Sequence, residues 1–233
     1  MLVVGFPAQA FATNCYVVAP APGEECVVVD PGIGVVDDLD EVLAEHGLRP
    51  VAVLLTHGHV DHTFSVTPVC GARDVPAYIH EDDLYRLADP IATLGPQLKA
   101  MFAGGLTWTE PDDVRPLTDG LVLDLAGLSI TVDHAPGHTE GSVMFRTPAA
   151  GEDPSVCLSG DVLFAGSIGR TDLPGGSYDA MLTSLATKVL TLDDSVVVLP
   201  GHGPQTTIGR ERLTNPFLAE AGAQPSDGPT RGM

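Results

Sequence analysis

The segment Thr56-His57-Gly58-His59-Val60-Asp61-His62 follows directly on the apolar run 51–55. Polar groups of this kind are costly to seat at the end of a buried strand unless they are used. The run therefore asks for a strand that ends in a turn at an open sheet edge, where α/β sheets place their ligand sites. Imidazoles and a carboxylate at nearly alternate positions can be aimed at one point, and that point suits a metal ion. Gly58 is expected to permit the bend that such convergence requires.

Three further positions repeat the same grammar. His138 lies in Pro136-Gly137-His138-Thr139, Asp161 in Ser159-Gly160-Asp161, and His202 in Gly201-His202-Gly203. Each follows an apolar, strand-like run, at 130–133, 157–159 and 196–199, and each is preceded by glycine. One such triplet is weak evidence, but three in addition to the cluster point to one shared site.

Around these positions the pattern predicts strands over 2–4, 15–19, 26–30, 51–55 and 75–80, with helices over 36–46 and 81–88. Ile91, Leu94, Leu98 and Met101 recur at helical spacing despite Pro96, in a stretch that otherwise shows little pattern. Strands are expected again over 121–125, 129–134, 142–147, 156–159 and 196–199, with a hairpin through Ala126-Gly127 and a helix over 178–190. Two similar halves are expected within one domain spanning 1–219, followed by a disordered tail over 220–233.

Composition narrows the function classes. The net charge of −20 repels phosphate backbones and anionic lipid heads, so a nucleic-acid substrate is disfavoured. No apolar stretch approaches the roughly 18 residues of a membrane span. The N-terminus is apolar but lacks a preceding Lys or Arg and is broken by Pro7 and Asn14, so no signal peptide and a cytoplasmic location are expected. Cys15, Cys26, Cys70 and Cys157 form no CxxC pair and are expected as reduced, buried thiols. There is no GxSxG elbow, P-loop or GxGxxG fingerprint.

With THGHVDH, PGHTEGS, SGD, GRTD and GHGP in this order, the chain resembles the metallo-β-lactamase superfamily up to about Phe217, and within it the short glyoxalase II-like hydrolases. The resemblance implies an α/β fold, a four-layer αββα sandwich of two mixed sheets flanked by helices. It implies that His57, His59 and His138 bind one divalent metal ion and Asp61, His62 and His202 a second, with Asp161 bridging. Zinc is the first expectation, and mixed His/Asp sites without Cys also accept iron or manganese. The chemistry implied is hydrolysis of a hydroxyacyl thioester by a metal-bridging hydroxide, with Asp61 and Asp161 as the catalytic carboxylates.

The same motifs leave other readings open. Class B β-lactamases share the fold but lack the bridging aspartate and are exported; Asp161 and the absence of a signal peptide speak against that role. Flavodiiron proteins carry a glutamate where His59 stands here. Persulfide dioxygenases resemble the chain closely and use a single iron on the equivalents of His57, His138 and Asp161; a non-catalytic binding protein is the remaining class. The chain is also too short for the C-terminal domain with which two-domain glyoxalase II enzymes grip glutathione, so the thiol carrier stays open. A small-molecule partner is expected, no nucleic acid or membrane, and a homodimer by resemblance.

Arg170 is the candidate substrate contact, as a guanidinium can clamp a carboxylate, with an ion pair to Asp172 as its alternative. Tyr178 either lines the same pocket or packs on its helix. His134 is either a partner of the His138 loop or a solvated loop residue. His46 and His80 have no motif context and read as a helix C-terminal and a strand-end residue.

Overall fold

Each half of the chain builds one sheet. In a computed structural model that describes residues 1–91, 99, 108–149, 151 and 153–223, the first half supplies β1 (Leu2–Pro7), β2 (Asn14–Ala19), β3 (Glu25–Val29), β4 (Arg49–Leu54), β5 (Ala77–His80) and β6 (Val114–Leu117), paired in that order. β1 to β3 pair antiparallel and β3 to β6 parallel. The second half supplies β7 (Val122–Leu125), β8 (Leu128–His134), β9 (Val143–Thr147) and β10 (Val156–Gly160), then the small hairpin of β11 (Leu163–Phe164) and β12 (Ser167–Ile168), then β13 (Val197–Pro200) and β14 (Thr206–Thr207). The second sheet runs β14-β13-β10-β9-β8-β7 and, among the described residues, pairs parallel between β10 and β13 and antiparallel elsewhere.

Side-chain parity stacks the layers. Successive residues of a strand point to opposite faces. Cys15 and Val17 of β2, Cys26 and Val28 of β3 and Val53 of β4 therefore face outward, into a core shared with Leu39 and Leu43 of helix α1 (Val36–His46). Tyr16, Val18, Val27, Val29, Ala52 and Leu54 face inward and meet Ile130, Val132, Val143, Phe145 and Leu158 of the second sheet. A third core lies beyond that sheet. Met144, Cys157 and Val198 pack there on Met181, Leu182 and Leu185. Strands buried on both faces read as continuous apolar runs, which is why these segments show no alternation in sequence. Each fully buried Val or Leu contributes about 1.5–3 kcal/mol of transfer free energy.

Local signals behave as their chemistry requires. Helix α1 carries Asp37 and Asp38 in its first turn and stops at Gly47, whose φ of 66° closes a left-handed cap. Ala126 and Gly127 both take positive φ, 52° and 71°, as a tight primed hairpin turn demands.

Elsewhere the sequence-based expectations shift. Helices α2 (Val60–Thr63) and α3 (Val66–Arg73) follow the histidine cluster. The helix expected over 81–88 is a 3₁₀ turn, Glu81–Asp83, leading into α4 (Leu84–Ala88), because Asp83 turns inward rather than to solvent. The helix expected over 178–190 is α5 (Tyr178–Ser184) continued by a π-turn, Leu185–Val189. β6 was hidden in the stretch without pattern, since Arg115 and Pro116 mask an edge strand. The apolar positions Leu94, Leu98 and Met101, and Pro96 between them, lie outside the described residues. After α6 (Ile208–Thr214), helix α7 (Pro216–Ala223) runs past the expected boundary at 219, held by Leu218 and Ala221 in the third core; residues 224–233 lie outside the described residues. Among the described residues no helix is long and apolar enough to cross a membrane. All four cysteines are buried free thiols, and burial pushes Cys26, Cys70 and Cys157 up to about 12.

Candidate metal centre

β8, β10 and β13 run in one direction, so their C-terminal ends lie along one sheet edge, and they deliver His138, Asp161 and His202 there. β4 delivers His57 and His59 from its own C-terminal end, and one turn of α2 presents Asp61 and His62. The structure thus brings all seven expected residues together.

They fall into two groups. His57 Nε2 lies 3.1 Å from His59 Nδ1, which lies 2.8 Å from His138 Nε2. His202 Nε2 lies 3.3 Å from His62 Nε2 and 3.2 Å from Asp61 Oδ2. Asp161 stands between the groups. Its Oδ1 is 3.4 Å from His62 Nε2, while its Oδ2 is 3.5 Å from His138 Nε2 and 3.7 Å from His202 Nε2. His57, His59, His62, His138 and Asp161 are buried, and Asp61 and His202 are half-buried.

Outer partners fix which nitrogen of each ring is bare. The Arg170 carbonyl, which can only accept, lies 2.7 Å from His138 Nδ1, so that nitrogen carries the proton and Nε2 is free. Thr56 donates its hydroxyl to Asp30 and accepts from His57 Nδ1 at 3.1 Å, which frees His57 Nε2 in the same way. Asp30 also takes His62 Nδ1 at 2.9 Å. Three ring nitrogens therefore turn lone pairs toward the centre.

The electrostatics of His57, His59 and His138 agree with this donor set, whereas, against burial, the neighbouring carboxylates raise His62 and His202. Burial, reinforced by neighbouring imidazoles, holds His57 far below the usual histidine range and His59 at about 3, so both are neutral donors. Burial also lowers His138, against the pull of Asp161. Burial opposes charge on His62 too, but the carboxylates of Asp161, Asp61 and Asp30 outweigh it and raise that ring. Asp61 and Asp161 stay ionised despite burial, because His62 lies beside both. Asp161 Oδ1 is buried with no hydrogen-bond donor. An unsatisfied carboxylate oxygen among bare imidazole nitrogens fits a divalent cation. His57, His59 and His138 could hold one ion; Asp61, His62 and His202 a second.

The glycines serve closeness as much as flexibility. Gly160 takes φ +47° to present Asp161, whereas Gly201 is required because a Cβ there would sit 2.3 Å from Asp161 Oδ1. Gly58 has an unstrained φ, so the expected reason for it is corrected: a Cβ would lie 2.6 Å from the Arg86 side chain, which packs against this turn.

That arginine belongs to a buried network the sequence reading missed. Asp83 accepts from the Gly58 amide at 2.7 Å, the Thr139 hydroxyl at 2.7 Å, the Gly141 amide at 3.0 Å and Arg86 Nε at 3.0 Å. Arg86 donates onward to Glu140 at 2.6 Å and to the Pro174 carbonyl at 3.1 Å. One ion pair thus pins the His57–His59 turn, the His138 loop and the loop after Arg170. Thr13 donates to Asp61 at 3.1 Å. In sequence, the only signal for the network was an acid and an arginine three residues apart in the helix expected over 81–88.

Arg170 and Tyr178 are placed differently from the ligands. The exposed Arg170 guanidinium makes a two-pronged pair with Asp172, at 2.7 and 2.9 Å, so only its carbonyl reaches the centre. The exposed Tyr178 hydroxyl donates to Glu220 at 2.8 Å. His134 Nε2 meets the Glu140 carbonyl at 2.8 Å, within the His138 loop.

A family model described as the metallo-beta-lactamase superfamily matches residues 8–202. The probable metallo-hydrolase YqgX of Bacillus subtilis is 38% identical over 195 residues, covering 84% of this chain and 88% of that protein. The hydroxyacylglutathione hydrolase GloC of Haemophilus influenzae is 32% identical over 221 residues, covering 91% and 95%. Among solved structures, BLEG-1, described as a B3 metallo-beta-lactamase, matches with TM-score 0.79 and 36% identity over 93% of this chain and 99% of its own. TTHA1623 in a di-iron-bound form matches with TM-score 0.74 and 38% identity, covering 92% and 99%.

Proposed function

Because the chain belongs to the metallo-beta-lactamase superfamily, we propose that it is a metal-dependent hydrolase that cleaves hydroxyacyl thioesters of small thiols. The observation that carries this reading is Asp161, whose two oxygens face the two donor groups, so that the residues fit a pair of cations. The di-iron form of the 38% identical relative supports a pair, and the name of the Haemophilus influenzae relative supports the substrate class. Zinc, iron and manganese all suit these donors.

Two cations held by these residues would supply a water acidified toward neutral pH and an electrophile for the acyl oxygen. The protein's own groups do the rest. Asp61, held by Thr13 and ionised at neutral pH, belongs to the second donor group and orients the attacking water. Asp161 fixes the spacing between the groups. The departing thiolate has a conjugate acid of pKa about 8.5, so no strong general acid is demanded of the protein.

The likeness to BLEG-1 gives β-lactam hydrolysis as a second reading. The test is kcat/KM for one lactoyl group on glutathione and on other small thiols, beside a chromogenic β-lactam and glutathione persulfide with oxygen monitoring. Thioester cleavage exceeding both other reactions is expected. Faster β-lactam turnover, or oxygen uptake on the persulfide, overturns the proposal.

A further inference from the structure

The rim of the metal centre is divided by polarity. On the His138 side it carries exposed charge, with Glu140 in the His138 loop and the Arg170–Asp172 pair beyond it. The His202 side presents a different surface. There the turn between β1 and β2, Ala8-Gln9-Ala10-Phe11-Ala12-Thr13, holds no charged side chain in a chain of net charge −20. Its base is anchored to the second donor group. The Ala8 amide donates to the Thr13 carbonyl at 2.7 Å, and the Asn14 amide donates to the Gly201 carbonyl at 2.7 Å. Between them Thr13 pairs with His202 and donates its hydroxyl to Asp61.

Two aromatic rings stand on this side without a packing role. Phe164, in β11, lies edge to face with His202, ring centroids 6.2 Å apart and planes at 89°. Phe11 is 44% exposed. Among the described residues, neither joins any of the three cores. Phe11 and Ala12 also hold φ of 62° and 52°, the left-handed region that residues with a Cβ seldom take. Such conformations persist where the surrounding structure imposes them, and they gather at ligand sites. Here the anchored turn imposes them, and the result is a phenyl group kept in water two residues from the contacts with Asp61 and His202.

We propose that Phe11 and Phe164 form a specificity rim for the acyl side of the substrate, which selects 2-hydroxyacyl thioesters with an apolar or aromatic chain over the small lactoyl group. This rests on the thioester-hydrolase reading above. That reaction places the acyl carbonyl at the donor groups, and a ring on the acyl α-carbon then begins only two bonds of about 1.5 Å from the carbonyl carbon. Such a substituent falls at the rim beside His202. Charge decides which end of the substrate lies where. The polar thiol carrier stays solvated among the charged groups of the His138 side, whereas the acyl chain loses water against the two rings. A phenyl substituent covers apolar surface of both rings and can meet them edge to face; a methyl covers far less of it.

The test compares lactoyl and mandeloyl groups on one thiol, with the wild type, Phe11→Ala, Phe164→Ala and Phe164→Leu. The free acids, lactate and mandelate, are titrated calorimetrically into the same metal-loaded proteins. The wild type is expected to show kcat/KM about tenfold or more higher for mandeloyl, mainly through KM, and to bind mandelate more tightly than lactate by a similar factor. Each alanine variant is expected to bring both ratios down to about threefold or less, and Phe164→Leu, which keeps apolar bulk, to retain most of the preference. A displaced His202 would weaken both groups alike and leave the ratios intact. Ratios near one in the wild type, or ratios that survive in either alanine variant, overturn the proposal. Cleavage of both thioesters without preference removes the rim and keeps the hydrolase reading; selective mandelate binding without thioester cleavage keeps the rim and removes that reading.

Discussion

On one side of Asp161, His57, His59 and His138 are buried and two of them lean on neutral acceptors, the Thr56 hydroxyl and the Arg170 carbonyl. On the other, His62 leans on the Asp30 carboxylate, Asp61 supplies a charge of its own, and His202 and Asp61 are only half-buried. The first half offers neutral lone pairs in a rigid, dry setting, so the only formal negative charge it has for a cation is the shared carboxylate. The second half is rich in charge and accessible. Rigidity and charge are thus divided between the halves. Solvent and substrate are expected to enter over Asp61 and His202, and Asp161 is the one group that both halves need.

The sharpest way to break this contrast is Asp161→Asn, which keeps the shape and removes the charge. Metal content per chain is expected to fall in both halves and turnover to drop by roughly a hundredfold or more; full metal content in this variant contradicts the division. Next is Arg86→Met. It leaves Asp83 buried without its ion-pair partner, a change that costs about 3–5 kcal/mol. Chemical denaturation is expected to report that loss, and metal analysis to show the first half weakened more than the second, because the network grips the Gly58 turn and the His138 loop. Equal loss from both halves speaks against the assignment.

Asp30→Asn probes the opposite half through His62. Removing an outer partner of a ligand typically lowers metal affinity by about 10–100-fold, and here the second ion is expected to leave first in a chelator titration. Thr56 also loses its acceptor in this variant, so a parallel Thr56→Val separates the two effects. The smallest change is expected from Arg170→Ala. Its guanidinium pairs with Asp172 at the surface, so the thermal midpoint is expected to stay unchanged. A raised KM at constant kcat shows that the side chain leaves Asp172 for substrate, and an unchanged KM reduces Arg170 to its carbonyl.

The central positions were legible because His57, His59, His138, Asp161 and His202 sit at strand ends beside glycine, and Asp61 and His62 continue the run that begins there. The strands followed from apolar runs that are buried on both faces, and the two-sheet architecture from the family resemblance. Asp30, Asp83 and Arg86 were not legible. Asp30 reads as the first residue of an Asp-Pro-Gly turn, yet it takes φ +50° and feeds Thr56 and His62. Asp83 is the last acid of Glu81-Asp82-Asp83, indistinguishable from the solvated start of a helix until the tertiary fold surrounds it with amides. Gly58 misled for the same reason, since the atom that excludes a Cβ belongs to a side chain 28 positions later, about eight helical turns away in sequence. Local pattern shows where polar groups gather; it does not show which neighbours hold them.

The most direct test of the account is a stepwise metal titration of the metal-free protein, with thioester hydrolysis of S-lactoylglutathione and metal per chain followed together. The account predicts that activity rises with the second equivalent bound and that Asp161→Asn abolishes that rise. Full activity at one ion per chain, or a protein that holds a single iron and consumes oxygen with glutathione persulfide, contradicts it.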